Sequence, residues 1–127
     1  MGLKIIVTGG RNYQNKKRVE GVLDDIDRSV GIDILVHGGA AGADTLAALW
    51  AMSRNKNLVE FPADWSKYSH SAGPRRNQQM ADAGADLCVA FPGNSGTRDM
   101  KRKARKANIR VVEIYDDQLS PGPLFDM

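Results

Sequence analysis

The chain has 127 residues, a length typical of one domain with a single hydrophobic core. No apolar run approaches the ~20 residues that span a membrane, and the single cysteine excludes an internal disulfide. The formal charge of +3 is compatible with anionic ligands but does not by itself indicate a nucleic-acid-binding protein. With two histidines and no Cys/His cluster, we expect neither a metal site nor a bound cofactor.

The first third of the chain predicts a strand, a helix and a second strand. LKIIVTGG (3–10) is a β-branched run that ends in glycines, as a buried strand often does. Residues 15–30 predict an amphipathic helix, because Val19, Leu23 and Ile26 share one face opposite charged residues. IDILVHGG (32–39) predicts the second strand.

The middle of the chain predicts two helices separated by a short strand. Residues 44–55 predict a helix that Asp44 caps at its N-terminus. The side chains expected to face inward on this helix are Leu46, Leu49, Trp50 and Ser53. Residues 57–64 predict a strand, and residues 65–73 predict an irregular segment. The second helix is expected over 74–83, since proline suits a first helical turn.

The last third predicts a strand over 85–91, a helix over 97–107 and a strand over 109–115. Cys88 lies in the apolar run ADLCVAF, so we expect a buried structural thiol. A lone thiol and a start without a signal-peptide pattern lead us to expect a cytoplasmic protein. The domain is expected to comprise residues 1–116, followed by a flexible, proline-punctuated tail over 117–127.

Strands alternate with helices along the chain, and the strands are apolar throughout instead of alternating between apolar and polar residues. This pattern is typical of a parallel sheet covered by helices on both faces. We therefore predict an α/β fold, a Rossmann-like three-layer sandwich with about five parallel strands. Because ligands bind beyond the carboxyl ends of such strands, the loops that follow the strands should converge on one site.

Glycine-rich loops, TGGR (8–11) and HGGAAGAD (37–44), follow the first two strands. Glycines let backbone N–H groups approach a ligand, arginine can pair with a phosphate, and aspartate can hold a ribose hydroxyl. The second loop, HGGAAGAD, is not a GxGxxG fingerprint and lacks the lysine of a P-loop. Ordinary tight turns with a solvated arginine and a capping aspartate are the alternative. The candidate binding residues of the two loops are Gly9, Gly10, Arg11, Gly38, Gly39 and Asp44.

Arg75, Arg76 and Asn77 lie in the first turn of the predicted helix 74–83. Positive charge at a helix N-terminus opposes the helix dipole, so a purely structural role does not favour arginines there. We therefore expect at least one of the two arginines to contact an anion. Two arginines that only face solvent are the alternative.

The loop PGNSGTRD (92–99) carries the strongest phosphate-binding pattern of the chain. It offers backbone donors and hydroxyl groups at a helix start, where anions bind readily. Its candidate ligand-contacting residues are Pro92, Gly93, Asn94, Ser95, Gly96 and Thr97. Asp99 lies beside them and can orient a water or a ribose, or can simply favour the first helical turn.

Two further features allow more than one interpretation. Trp65 and Tyr68 can stack on a nucleobase, or they can pack over the sheet edge or at a subunit interface. KRKARK (101–106) is a cationic stretch that we interpret as a solvated helix face, with nucleic-acid contact as the alternative.

In chain order, the segments KIIVTGGR, LVHGGAAGAD, FPADW, GPRRNQQM and AFPGNSGTRDM resemble the SLOG superfamily. Within it, they are most similar to the small single-domain YspA-related branch. The resemblance covers roughly residues 3–115. It implies a Rossmann-like sheet that binds nucleotides or nucleotide-derived ligands.

Two better-understood groups of the superfamily imply different activities. LOG-type phosphoribohydrolases release the base from nucleoside 5′-monophosphates, and their PGGxGTxxE motif resembles residues 92–100. Met100 stands where the resemblance places their catalytic glutamate, so Arg76 and the neighbouring Asp99 are the candidate catalytic residues. DNA-processing proteins of natural transformation, whose motifs resemble AAGAD and PRRNQQM, bind single-stranded DNA.

We expect the chain to bind a nucleoside monophosphate or an ADP-ribose-like ligand, as a sensor or a sequestering module. Hydrolysis of the N-glycosidic bond is the alternative, with Arg76 and Asp99 stabilising charge or orienting water. Single-stranded nucleic-acid binding is the second alternative. A homodimer is expected by analogy with the LOG-type relatives, with Trp50 or Trp65 at the interface. Arg76 is expected to be exposed before a ligand binds.

Overall fold

The computed structural model describes residues 2–116, in which five strands alternate with helices. The strands are β1 (Leu3–Thr8), β2 (Ile32–His37), β3 (Asn57–Glu60), β4 (Leu87–Ala90) and β5 (Arg110–Glu113). The helices are α1 (Lys16–Val30), α2 (Ala43–Ser53), α3 (Trp65–Tyr68), α4 (Ala72–Ala83) and α5 (Ser95–Lys106), with a 3₁₀ turn at Ser69–Ser71. The predicted tail, residues 117–127, lies outside the described residues. No helix within residues 2–116 is long and apolar enough to cross a bilayer.

The five strands form one parallel sheet in the order β3-β2-β1-β4-β5. The strand order reverses between β1 and β4, which pair in register from Ile5 opposite Leu87 to Thr8 opposite Ala90. The predicted five-stranded parallel α/β fold is therefore confirmed. In such sheets, ligands bind beyond the carboxyl ends of the strands where the order reverses, which here is the end of β1 and β4.

Helices cover both faces of the sheet and build a separate hydrophobic core on each. Val19 and Leu23 of α1 pack with Trp50 of α2 on one face. Met80 of α4 and Met100 of α5 pack on the other face. The central strands β1 and β4 are buried on both sides over most of their length, which explains their continuous apolar runs, whereas the edge strands β3 and β5 carry exposed and polar residues.

Cys88 lies in β4 and is fully buried, which confirms the predicted burial of this thiol. Burial raises the pKa of Cys88 to about 12, because a thiolate would lose its hydration in the apolar core. Since the thiolate is the reactive form, this side chain is an inert part of the core.

The inward face of α2 differs from the one predicted. Leu49 is 50% exposed and Ser53 faces solvent, while the buried apolar residues are Ala43, Ala47, Trp50 and Ala51. Three of these residues are alanines, whose small side chains let the helix lie close to the sheet. The indole N–H of Trp50 donates to Asp24 Oδ1 at 2.9 Å. Trp50 is 1% exposed, so the expectation that it could lie at a subunit interface is wrong.

The segment predicted to be irregular, 65–73, is largely helical. The Asp64 side chain caps α3 by accepting from the Lys67 backbone N–H at 3.1 Å. Helix α4 begins at Ala72, two residues before the predicted start, because Ala72 is buried against the fold. Pro74 is tolerated inside this first turn, where a backbone N–H has no partner within the helix.

Candidate functional site

A cleft of about 740 Å³ opens at the carboxyl ends of β1 and β4, where the strand order reverses. This volume falls in the range of small-molecule sites, and it is far larger than a phosphate ion requires. The predicted site residues that line it are Gly9, Gly10, Arg11, Asp44, Arg76, Asn77, Pro92, Gly93, Asn94, Ser95, Gly96, Thr97 and Asp99. The fold therefore brings together residues from four separate segments of the chain.

The loops around the cleft pack directly on one another through their backbones. The Gly10 N–H donates to the Pro92 carbonyl at 2.8 Å, and the Ala43 N–H donates to the Gly10 carbonyl at 3.2 Å. A Cβ at Gly93 would lie 2.7 Å from the Gly10 nitrogen. Gly42 has a φ of 80°, and a Cβ there would meet the Gly10 carbonyl. These glycines are thus required for loop packing whether or not a ligand binds.

The first turn of α5 faces the cleft and offers backbone donors. Asn94 precedes the helix, and its side chain makes no capping hydrogen bond within the described chain. Since the first N–H groups of a helix have no intrahelical partner, they are available to a ligand. Ser95 and Gly96 are exposed, and a Cβ at Gly96 would meet nothing within 4 Å among residues 2–116. This geometry suits an anion, which the helix dipole also favours.

Asp44 is not the N-cap of α2, because Gly42 occupies that position. The Asp44 carboxylate is buried and accepts from the backbone N–H groups of Gly38 at 3.0 Å and Ala40 at 3.2 Å. Burial raises the pKa of Asp44, while these two hydrogen bonds and the nearby charges of His37 and Arg76 oppose the shift. Asp44 therefore braces the loop after β2 from within.

Arg76 is half-buried instead of exposed, so that expectation is wrong. Its guanidinium donates to the Gly38 carbonyl and to Asn77 Oδ1, the latter at 3.0 Å. Burial lowers the pKa of Arg76, the negative charge of Asp44 opposes this shift, and the positive charge of Arg11 adds to it. Arg76 thus joins α4 to the loop after β2 while it lines the cleft.

Asn77 and Asp99 connect α4 to the first turns of α5. Asn77 is buried, and its Nδ2 donates to Asp99 Oδ2 at 3.0 Å and to the Gly96 carbonyl at 3.3 Å. Lys103 donates to Asp99 Oδ2 at 2.8 Å, and Arg102 pairs with the other oxygen. Partial burial alone would raise the pKa of Asp99, but these hydrogen bonds and cations outweigh it and lower the pKa. Asp99 is therefore an ionised, hydrogen-bonded carboxylate.

Met100, which aligns with the catalytic glutamate of the LOG pattern, is fully buried. It packs under α5 with Cys88 and Ala104, on the side of the helix that faces the sheet. The residue at this position therefore contributes to the core and not to the cleft. Asp99, the acidic residue of α5, lines the cleft instead.

Three predicted site residues, Gly38, Gly39 and Arg75, do not line the cleft. Gly38 lies behind it, where its carbonyl accepts from Arg76. Gly39 has a φ of 74°, and a Cβ there would lie 2.6 Å from a carboxylate oxygen of Glu60. The exposed guanidinium of Arg75 lies 4.3 Å from the centre of the Tyr68 ring, in a cation–π contact.

The cleft also contains residues that the sequence patterns did not single out, among them Asn12, Tyr13, His70 and Met80. Asn12 and Tyr13 directly follow the first glycine loop, so a longer window around TGGR would have included them. His70 and Met80 carry no local signal, because only the path of the chain after β3 brings them to this edge. Trp65 lines the cleft as well, and the Arg11 guanidinium carbon lies 5.3 Å from its ring centre.

Most cations of the segment 101–106 are paired within the fold. Lys101 and Arg105 contact the two carboxylate oxygens of Glu113 at 2.7 and 3.0 Å, and Lys103 contacts Asp99. The pairs with Glu113 connect α5 to β5, and the pair with Asp99 stabilises the first turns of α5. The arrangement supports the interpretation of a solvated helix face, because charges that are already paired contribute less to phosphate binding.

Comparisons with known proteins agree with this fold. Residues 3–68 match the model of the YspA, cpYpsA-related SLOG family. The chain is 40% identical over 121 residues to the Gene 61 protein of Mycobacterium phage D29, across 89% of this chain and 97% of that protein. DNA processing protein A (DprA) from Streptococcus pneumoniae superposes with a TM-score of 0.69 at 17% identity, across 94% of this chain. The match covers 52% of the DprA chain, about half its length, and is a likeness of fold.

Proposed function

Because the chain belongs to the YspA, cpYpsA-related SLOG family, we propose that it binds a nucleotide or nucleotide-derived ligand in this cleft. Suitable ligands are a nucleoside monophosphate or an ADP-ribose-like molecule. One observation carries the proposal: the uncapped first turn of α5 opens into a cleft of about 740 Å³ at the reversal of strand order. The phosphate binds to the backbone between Gly93 and Thr97, and the rest of the ligand fills the cleft.

Arg76 supplies positive charge to the same ligand. A guanidinium has five N–H donors, and the contacts with Gly38 and Asn77 use two of them. The remaining donors are free to reach a phosphate or ribose oxygen in the cleft. Because the guanidinium of Arg76 donates to both the Gly38 carbonyl and Asn77 Oδ1, it is positioned before the ligand arrives. This reduces the conformational entropy lost on binding.

We favour binding without turnover, as a sensor or sequestering module. Asp99 is the acidic residue of the cleft nearest the phosphate loop, and its carboxylate is neutralised by Lys103 and Arg102. The position of the LOG-type glutamate is occupied by Met100, which lies in the core. The positive charges of Lys103 and Arg102 beside this carboxylate offset its attraction for a developing cation in a transition state.

One observation favours hydrolysis as a second candidate. Asp99 lines the cleft, and its lowered pKa keeps it ionised at neutral pH. An ionised carboxylate is the group that would stabilise positive charge at the sugar carbon or orient a water. If so, Asp99 would replace the glutamate of the LOG pattern from the neighbouring position.

Mass spectrometry of small molecules tests both candidates. One arm denatures freshly purified protein and looks for retained nucleotides; the other incubates it with AMP, NAD or ADP-ribose and looks for released base. We expect retained or added nucleotide to bind without release of base. Release of base by the wild type, lost in Asp99→Asn but kept in the exposed control Asp82→Asn, would instead establish hydrolysis.

Absence of nucleotide in the first arm, together with no release of base in the second and no binding of AMP, NAD or ADP-ribose by calorimetry, would contradict the proposal. Single-stranded DNA, the second alternative from the sequence, is the next ligand to test in that case, and the name of the structural neighbour, DNA processing protein A, agrees with a DNA ligand. Binding through backbone phosphates would weaken steeply as salt increases, and it would depend on several lysines and arginines at once. Nucleotide binding in the cleft should depend much less on salt.

A further inference from the structure

Trp65 presents an aromatic ring to the cleft although nothing in the core requires it there. Its side chain lines the cleft and remains 47% exposed. The edge of the ring lies against α4, where a Cβ at Gly73 would be 3.3 Å from Cη2. The guanidinium of the exposed residue Arg11 lies over the ring, 5.3 Å from the ring centre. The ring thus lies beside α4 at its edge and remains about half exposed in the cleft.

Helix α4 links this ring to the anion end of the cleft. Gly73 lies beside the Trp65 ring, and four residues later Asn77 hydrogen bonds to the Gly96 carbonyl in the first turn of α5. Residues four apart lie on the same side of a helix. The same side of α4 therefore borders both the aromatic ring and the first turn of α5, and all of these residues line one cleft.

We propose that Trp65 stacks on the base of the bound nucleotide, so that the cleft selects ligands with an aromatic base over sugar phosphates. This inference rests on the proposed function, because it assigns the second end of the same ligand. Stacking on an aromatic side chain is favourable for every base, since each base has a planar π-face. The contact therefore makes the site selective for nucleotides as a class.

The position of Arg11 fits this assignment. A guanidinium and a nucleobase are both planar groups that stack on an indole, so the base takes the place that Arg11 occupies without ligand. Arg11 is exposed and carries a long, flexible side chain, so it can move aside when the base binds. Once displaced, its guanidinium can pair with the phosphate at the other end of the cleft.

Tryptophan fluorescence tests the stacking directly, because the two tryptophans lie in different surroundings. Trp50 is buried in the core on the α1–α2 face and does not line the cleft, whereas Trp65 does. We expect AMP to quench the emission of the wild type and ribose 5-phosphate to leave it nearly unchanged. In Trp65→Phe, where Trp50 alone emits, AMP should bind but cause no quenching. Quenching that persists in Trp65→Phe would contradict the assignment.

Calorimetry then measures the selectivity. Wild-type protein should bind AMP, UMP or ADP-ribose at least tenfold more tightly than ribose 5-phosphate, the size expected for one stacked base. Trp65→Ala should lose this preference while its affinity for ribose 5-phosphate stays the same, and Trp65→Phe should keep most of it. Tyr68→Ala, the neighbouring aromatic outside the cleft, is the matched control and should keep the preference.

The outcomes separate the two claims. If the wild type binds AMP and ribose 5-phosphate equally, or if Trp65→Ala keeps the preference, the cleft binds phosphates but the stacking is wrong. If the wild type binds neither the nucleotides nor ribose 5-phosphate, the proposed function itself is wrong and the stacking with it. Thermal unfolding of each variant shows that a lost preference does not arise from lost folding.

Discussion

At the scale of single residues, the polar groups of the cleft support the fold and face the ligand space at the same time. In the loop after β2, the Asp44 carboxylate accepts hydrogen bonds from two backbone N–H groups, and Arg76 donates to the Gly38 carbonyl. Asn77 holds Gly96 and Asp99 in the same way. Side chains positioned by such contacts keep a defined orientation without ligand, which is the condition for a preformed site.

Arg76→Ala is therefore expected to affect both ligand binding and stability. The affinity for AMP should fall at least tenfold, because a charge-assisted hydrogen bond is lost, and the free energy of unfolding should fall by about 1–2 kcal/mol with the contact to Gly38. Calorimetry and urea unfolding measure the two effects. Arg75→Ala, an exposed neighbour outside the cleft, should change neither by much. Unchanged affinity in Arg76→Ala would remove this residue from the site.

At the scale of elements, sequence and structure agree that a helix starts beside the glycine-rich loop after β4 but differ by two residues in where it starts. The loop PGNSGTRD predicted a helix from residue 97, whereas α5 begins at Ser95, so its first turn already contains Gly96 and is open to the cleft. Helix α4 is different, because its start at Ala72 and its contacts at both ends depend on its neighbours. The local sequence pattern predicted that the proline and the arginines lie in the first turns of a helix. It did not predict which residues the arginines contact.

Gly96→Ala separates ligand binding from helix stability in α5. A methyl group at Gly96 meets no other atom of the described chain, and alanine favours a helix, so stability should be kept or slightly raised. The affinity for AMP should nevertheless fall several-fold, since the methyl group occupies space beside the backbone donors. Gly21→Ala is the matched control, because Gly21 lies in α1 with equally open space. It should raise the free energy of unfolding by about 0.5–1 kcal/mol and leave affinity unchanged.

At the scale of the whole molecule, the order of the strands decides which loops meet. Because β1 lies between β2 and β4, the loop after β1 contacts the loops after both neighbours. Gly10 hydrogen bonds to Pro92 on one side and to Ala43 on the other. A chain with the same elements in another order would separate these loops, and the cleft would not form.

The homodimer stays a prediction, but Trp50 is no longer a candidate for its interface. With Trp50 in the core, the exposed apolar side chains Leu49 and Met52 of α2 and Val59 of the edge strand β3 are the better candidates. Sedimentation analysis should show a dimer that Leu49→Lys weakens. Tyr115→Lys, an exposed apolar residue next to the opposite edge strand, should leave the dimer intact. A wild-type protein that sediments as a monomer at all concentrations would contradict the prediction.

The sequence by itself determined the fold class and the glycine-rich helix start after β4, because both are properties of neighbouring residues. Apolar runs that alternate with helices allow little other than a covered parallel sheet, and Asn94, Gly96 and Thr97 are neighbours in the sequence at the start of α5. The tertiary structure alone decided that the half-buried Arg76 donates to the Gly38 carbonyl, that Trp65 borders the cleft, and that Leu49 faces solvent. These features depend on contacts between residues far apart in the chain, which no local pattern records.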